Sequence, residues 1–232
     1  TPQNSNFIYM YFYFNGLHGL KWMVQFINKL VLNLKNSNEG LPEFTVYFTE
    51  TNQKKKYIGY SDMWLTMVQE HQVPMIIADI VYSFKELIRF YMKSNELSVT
   101  QKIKIANNIK NYIYENSNNI ILLAIISEIG MEFEQLLPGY AIDLISNIDI
   151  VIDDLTRYSL QMPNPLRNKL ENEIMISAGL PLGLKRRYNA INDNISLREY
   201  ARSCQLEHGE AVRKKTFDII DYLYKTIPDD LK

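Results

Sequence analysis

Only one cysteine, Cys204, occurs in the 232 residues, so no internal disulfide can form, and nothing resembles a cleaved secretory leader. The expected home is the reducing cytoplasm. Glycine (9 residues) and proline (8 residues) are scarce, which leaves few turn sites and favours long helices over many short strands. Positive charge is not in excess either: the formal net charge is −1 at pH 7, which argues against a generic nucleic-acid coat. No apolar run approaches the roughly 20 residues that span a bilayer. The longest runs are Ile8 to Phe14 and Ile120 to Ile126, so no membrane partner is expected. Phosphate-cradling loops are missing as well: neither Gly-x4-Gly-Lys-Ser/Thr nor Gly-x-Gly-x-x-Gly occurs, and Gly16-Leu-His-Gly19 lacks the lysine. Gly-x-Ser-x-Gly is absent, and neither a serine nor Cys204 has the setting of a nucleophile. No cofactor is expected, and no residue is assigned a catalytic role.

What is present is ample material for a core, 47% apolar residues, patterned mostly at helical spacing. Phe7 to Phe14 is apolar on every side, so periodicity leaves it open between a buried strand and a buried helix. Leu17, Leu20, Val24, Ile27, Val31 and Leu34 then recur at steps of three and four, the stripe of a core-facing helix that should stop near Lys35. Phe44, Val46 and Phe48 alternate with Thr45, Tyr47 and Thr49 as a strand does, and Tyr57 to Tyr60 returns across a loop from Thr51 to Lys56. Lys54, Lys55 and Lys56 are expected at that loop's tip, in water.

Beyond Asp62 the pattern is helical. Pro74 suits a first turn, followed by the stripe Ile77, Ile80, Val81, Phe84, Leu87, Ile88 and Tyr91. Ser98-Val-Thr-Gln101 and Ser196-Leu-Arg-Glu199 have capping-box form. Ile120 to Ile126 marks the most buried helix. After a break at Leu136 to Gly139, Ala141 to Tyr158 reads as one helix, apolar through Ile142, Ile145, Ile148, Ile152 and Leu155. Asn164-Pro165 opens a helix to Gly179, Leu180 to Asn194 is irregular, and a last helix over Gly209 to Ile227 turns Val212, Thr216, Ile219, Ile220 and Leu223 inward.

The expectation is a mainly α protein, a multi-helix bundle or helical-repeat-like array with one small β-hairpin near residues 44–60. Residues 1–232 are read as one helical domain, with a sub-boundary near 60 as the place where it would divide. A chain opening on Thr1-Pro2-Gln3-Asn4 without an initiator methionine is expected to be a fragment of a larger protein.

Chemistry-bearing residues are sparse. His18, His71 and His208 lie in separate segments with no i, i+4 or i, i+2 pair among them, so no zinc site is expected, and capping or surface roles explain His18 and His208. The acidic set Asp143, Asp149, Asp153 and Asp154 is more suggestive. Asp149 and Asp153 are four apart and would share a helix face, able to hold a hard cation or supply an acid and a base beside Tyr158. An ordinary solvated stripe, with Arg157 pairing to Asp153, has the same spacing. Glu128 to Asp154 is acidic, whereas Lys185, Arg186, Arg187, Arg198, Arg202, Arg213, Lys214 and Lys215 make the later stretch basic. The two fields can pair within the domain. Otherwise Lys185, Arg186, Arg187, Arg202 and Arg213 would face an acidic partner or nucleic acid, with Tyr188 free to stack.

Several stretches taken together resemble a known family. They are Asn6 to Met10, Gly19-Leu-Lys-Trp-Met-Val-Gln-Phe-Ile-Asn28, Tyr57-Ile-Gly-Tyr-Ser-Asp-Met-Trp64, Pro74-Met-Ile-Ile-Ala-Asp-Ile-Val81, Tyr114-Glu-Asn-Ser-Asn-Asn-Ile-Ile-Leu-Leu123, Leu136-Leu-Pro138 and Asp221 to Pro228. Their order is similar to an internal region of very large bacterial STAND-type P-loop ATPases associated with antiphage defence. The resemblance covers most of the chain but rests on packing and boundary motifs. It implies a non-catalytic helical scaffold or sensor that packs on an ATPase core and meets a protein partner. It carries ATP hydrolysis onto no residue, because no Walker motif is present. The alternative reading is a metal- or ligand-binding helical enzyme using the acidic face around Asp149 and Asp153.

Overall fold

The computed structural model describes residues 2–37, 41–64, 75–161 and 196–227. In these the chain is mainly helical with one two-stranded hairpin. The elements run α1 (Pro2–Ser37), β1 (Glu43–Phe48), β2 (Gln53–Ile58), α2 (Ser61–Trp64), α3 (Met75–Lys93), α4 (Val99–Asn116) and α5 (Ile120–Glu132). A 3-10 turn (Ile142–Ser146), α6 (Ile148–Gln161), α7 (Leu197–Leu206) and α8 (Glu210–Thr226) follow. Pro74, His71, the helix expected from Asn164 and the irregular stretch to Asn194 lie outside the described residues.

The stretch Phe7 to Phe14, open between strand and helix, is helical, but α1 breaks at Gly16, whose φ of 48° and ψ of −116° belong to no helix. The break folds the first arm back on the second. A ring carbon of Phe12 lies 2.8 Å from where a β-carbon on Gly19 would sit, although seven residues of unbroken helix would separate them by about 10.5 Å along the axis. Gly19 is needed because Phe12 occupies the place of a side chain. The elbow buries Phe12, Leu20, Met23, Val24, Ile27 and Val31 and leaves Leu17, next to the break, 56% exposed instead of on the core stripe.

The hairpin pairs Phe44 with Tyr57 and Val46 with Lys55, and Phe44 and Val46 face the core. Lys54, Lys55 and Lys56 do not sit at the loop tip: they belong to β2, and the turn is confined to residues 49–52. The reason lies in α4. Lys55 donates to the carbonyls of Tyr114 and Glu115 at 2.6 and 2.8 Å, where a helix end leaves acceptors unfilled and favours a cation. Asn28 ties the same junction to α1, accepting from Asn119 Nδ2 at 2.7 Å while donating to the Asn116 carbonyl at 2.7 Å.

α5 is apolar all round from Ile120 to Ile126, and every residue from Ile120 to Met131 is buried, so it forms the axis on which α2, α3, α4 and α7 pack. Both capping boxes form: Ser98 accepts from the Gln101 amide at 3.3 Å and Ser196 from the Glu199 amide at 3.2 Å. The single helix expected over Ala141 to Tyr158 is instead a 3-10 turn and α6. Ser146 and Asn147 divide them, tied to β1 by their side chains: Ser146 Oγ accepts from the Tyr47 amide at 2.8 Å, and Asn147 Nδ2 donates to the Thr45 carbonyl at 3.2 Å while its Oδ1 accepts from the Ile150 amide at 3.1 Å to open α6. α6 also reverses the expected amphipathic sense. Ile148, Ile152 and Leu155 are exposed, Ile152 by 53%, while Asp153, Asp154 and Arg157 are buried. Arg157 donates to Asp154 Oδ1 at 2.8 Å, and Asp154 Oδ2 accepts from the Leu197 amide at 2.6 Å, so the inward face of α6 is an ionic clasp on the start of α7.

Candidate functional site

The acidic set is dispersed by the fold. Asp149 is exposed and Asp153 buried, while Asp154 is committed to Arg157 and to α7. Asp143, on the 3-10 turn, accepts from Lys215 Nζ at 3.0 Å, one bond between the acidic and basic stretches. Lys185, Arg186, Arg187 and Tyr188 lie outside the described residues. Arg202 is exposed, and the Arg213 guanidinium donates to the Gln205 carbonyl at 2.9 Å, near the end of α7.

Lys215 stands at the floor of a cleft of about 680 Å³ bounded by α4, the corner 136–140 and the start of α8. Its ammonium bridges Asp143 and Glu50 Oε1, the latter at 2.8 Å. Lys110 lines the same cleft, its ammonium 5.2 Å from the centre of the Tyr140 ring and 6.0 Å from that of Tyr114. Burial, aided by the Lys215 charge, lowers the Lys110 pKa. Burial also raises Asp143 above the usual carboxylate range in spite of Lys215 and Lys110. Charges here are nearly balanced, and the network braces α8 against the hairpin turn.

A second cluster joins three segments. Glu134 follows α5, Cys204 lies in the last turn of α7, and His208 sits between α7 and α8. One carboxylate oxygen, the thiol sulfur and one imidazole nitrogen all fall within 4.8 Å of one another. His208 Nε2 and Glu134 Oε1 are 2.9 Å apart. Cys204 is fully buried, which pushes its thiol up to about 11. No two histidines are four apart, but Cys204 and His208 are, and this is the signal the sequence does carry. Glu134, seventy residues upstream, has no local signal.

The third feature is a face of aromatic rings where the first arm of α1 meets α3. Tyr13 lies 5.8 Å from Phe90, 5.5 Å from Phe14 and 6.4 Å from Tyr9, centre to centre, and Phe90 lies 5.8 Å from Tyr91. Phe14 is 73% exposed and Phe90 47%. These rings are outside the buried core although they adjoin it, because the Gly16 break turns them past the end of the α1 stripe. No helix among the described residues is long and apolar enough to cross a membrane. No protein-family profile matches the chain, and no curated protein is detectably similar to it.

Proposed function

We propose that this chain is a non-catalytic helical interaction module whose aromatic face at the α1 elbow docks a polypeptide partner. The observation that carries this reading is the run of touching, partly exposed rings Tyr13, Phe14 and Phe90. Contiguous apolar surface is rare where nothing covers it, and aromatic anchors supply most of the energy of protein interfaces. The interior speaks for a scaffold as well. Buried charges are taken up in pairs, Lys85 with Glu128, Arg89 with Glu132, Arg157 with Asp154 and Lys215 with Asp143, which leaves these groups to brace helices.

The resemblance to STAND-type ATPases supplies the kind of partner: the remainder of a larger cytoplasmic polypeptide, in which this segment is a scaffold or sensor and antiphage defence is the setting. ATP hydrolysis then belongs to another module. The test is a pull-down of the purified chain against the polypeptide segments encoded beside it, with the wild type compared with the Phe14→Ser, Phe90→Ser double variant. Binding by the wild type that weakens by about tenfold or more in the variant supports the reading, since each tenfold corresponds to about 1.4 kcal/mol of docking energy. Equal binding by both, or ATP turnover by the purified chain, overturns it.

A further inference from the structure

We propose that Glu134, Cys204 and His208 form a zinc site that clips the corner after α5 to the α7–α8 turn. Three arguments converge. The donor set is the first: thiolate, imidazole and carboxylate are the three side-chain types zinc takes, and the sulfur disfavours magnesium and calcium, which select oxygen. Geometry is the second. Zinc bonds of about 2.3 Å to sulfur and about 2.0–2.1 Å to nitrogen or oxygen place tetrahedral donors about 3.3–3.6 Å from one another. The three atoms already lie within 4.8 Å, so adjustments of about 1 Å close the set. Glu134 and His208 stand on turns that can supply the movement, while Cys204 is fixed by the helix and the core.

The third argument is the surroundings of the sulfur. Cys204 is fully buried one helical turn beyond Tyr200, whose hydroxyl accepts from the Ala141 amide at 3.4 Å and donates to the Leu137 carbonyl at 3.5 Å. A dry, fixed shell of this kind holds a metal-bound thiolate in place and controls the access of solvent to it. Charge also closes: one thiolate and one carboxylate neutralise a divalent ion in a largely buried place, with the imidazole neutral. The side chains of Glu134 and His208 retain 14% and 9% exposure, so the ion has a path from solvent and a fourth position for water. This site is independent of the aromatic face on α1 and α3.

The test uses the full chain, stripped with a chelator and titrated with cobalt(II) as a spectroscopic stand-in for zinc. One equivalent is expected to bring a thiolate-to-cobalt charge-transfer band in the near ultraviolet and the strong visible bands of a tetrahedral ion, both bleached by added zinc. Cys204→Ser should abolish the charge-transfer band. His208→Gln and Glu134→Gln should each weaken cobalt binding by about tenfold or more. Both side chains are partly exposed, so these two variants keep the test decisive if the fully buried Cys204→Ser does not fold. A folded wild type with no charge-transfer band overturns the proposal, as does a band whose cobalt affinity is unchanged in both glutamine variants.

Discussion

Lys85 on α3 and Glu128 on α5 form an ion pair with side chains only 3% and 5% exposed. One helical turn further on, Arg89 meets Glu132 at 2.5 Å, so two successive turns of α3 are matched to two of α5. The matched pairs fix the register of α3 against the central helix, which apolar packing alone would leave freer to slide. Removing one partner strands a charge in the core. Lys85→Met is therefore expected to cost about 3–5 kcal/mol of stability, and the double change Lys85→Met, Glu128→Leu to restore much of the loss. Urea unfolding measures both. A single variant as stable as the wild type would refute the role given to the pair.

The same pair makes stability depend on acid. Burial alone would raise Glu128, but the Lys85 ammonium, with Arg157 and Arg89 beyond it, outweighs burial and holds the carboxyl below its ordinary value of 4.5. A depressed folded value means the unfolded chain takes up the proton first. The stabilisation is complete above the ordinary value and is lost as pH falls through the folded one. The urea midpoint should decline on acidification below about pH 4.5, less steeply in the Lys85→Met, Glu128→Leu variant. Identical acid slopes would show that other carboxylates carry the effect.

How much of this was legible in the sequence depends on the range of the interaction. Short-range chemistry was plain: Ser98 with Gln101 and Ser196 with Glu199 form the capping boxes their spacing announces, and the α3 stripe from Ile77 to Ile88 is buried as its period requires. Ile120 to Ile126 was readable because no face of that stretch can meet water. The α6 inversion was not, since Ile152 and Asp154 carry no mark of which face meets α7. Lys85 and Glu128 are 43 residues apart, and Glu134 is seventy from Cys204; neither pairing has a periodic signature. Lys55 looked like a loop lysine because its partners are backbone carbonyls, which every residue possesses.

Each capping serine is open to a simple check. Ser98→Ala and Ser196→Ala remove a side-chain acceptor from a first-turn amide and should each cost about 1 kcal/mol. The two caps open different helices and each bonds to its own first turn, so the costs should add to within about 0.5 kcal/mol. Marked non-additivity in urea unfolding would mean that α4 and α7 are coupled more tightly than their packing shows.

The elbow in α1 separates two reasons for needing glycine. At Gly16 a β-carbon would meet nothing within 4 Å, so the whole penalty of Gly16→Ala comes from a backbone conformation at positive φ that side chains rarely adopt, and should reach about 1–3 kcal/mol. At Gly19 the backbone is helical and the obstacle is the Phe12 ring, 2.8 Å from the added carbon. Gly19→Ala should therefore destabilise by overpacking, by about 1–3 kcal/mol. Trimming Phe12 to leucine distinguishes the two. It should recover part of the Gly19→Ala loss and none of the Gly16→Ala loss, because removing ring atoms cannot relieve a strained dihedral angle. The measurement is a double-mutant cycle in urea for each glycine with Phe12→Leu. A favourable coupling at Gly16 as large as that at Gly19 would mean that the elbow is held by side-chain packing and not by the conformation only glycine allows.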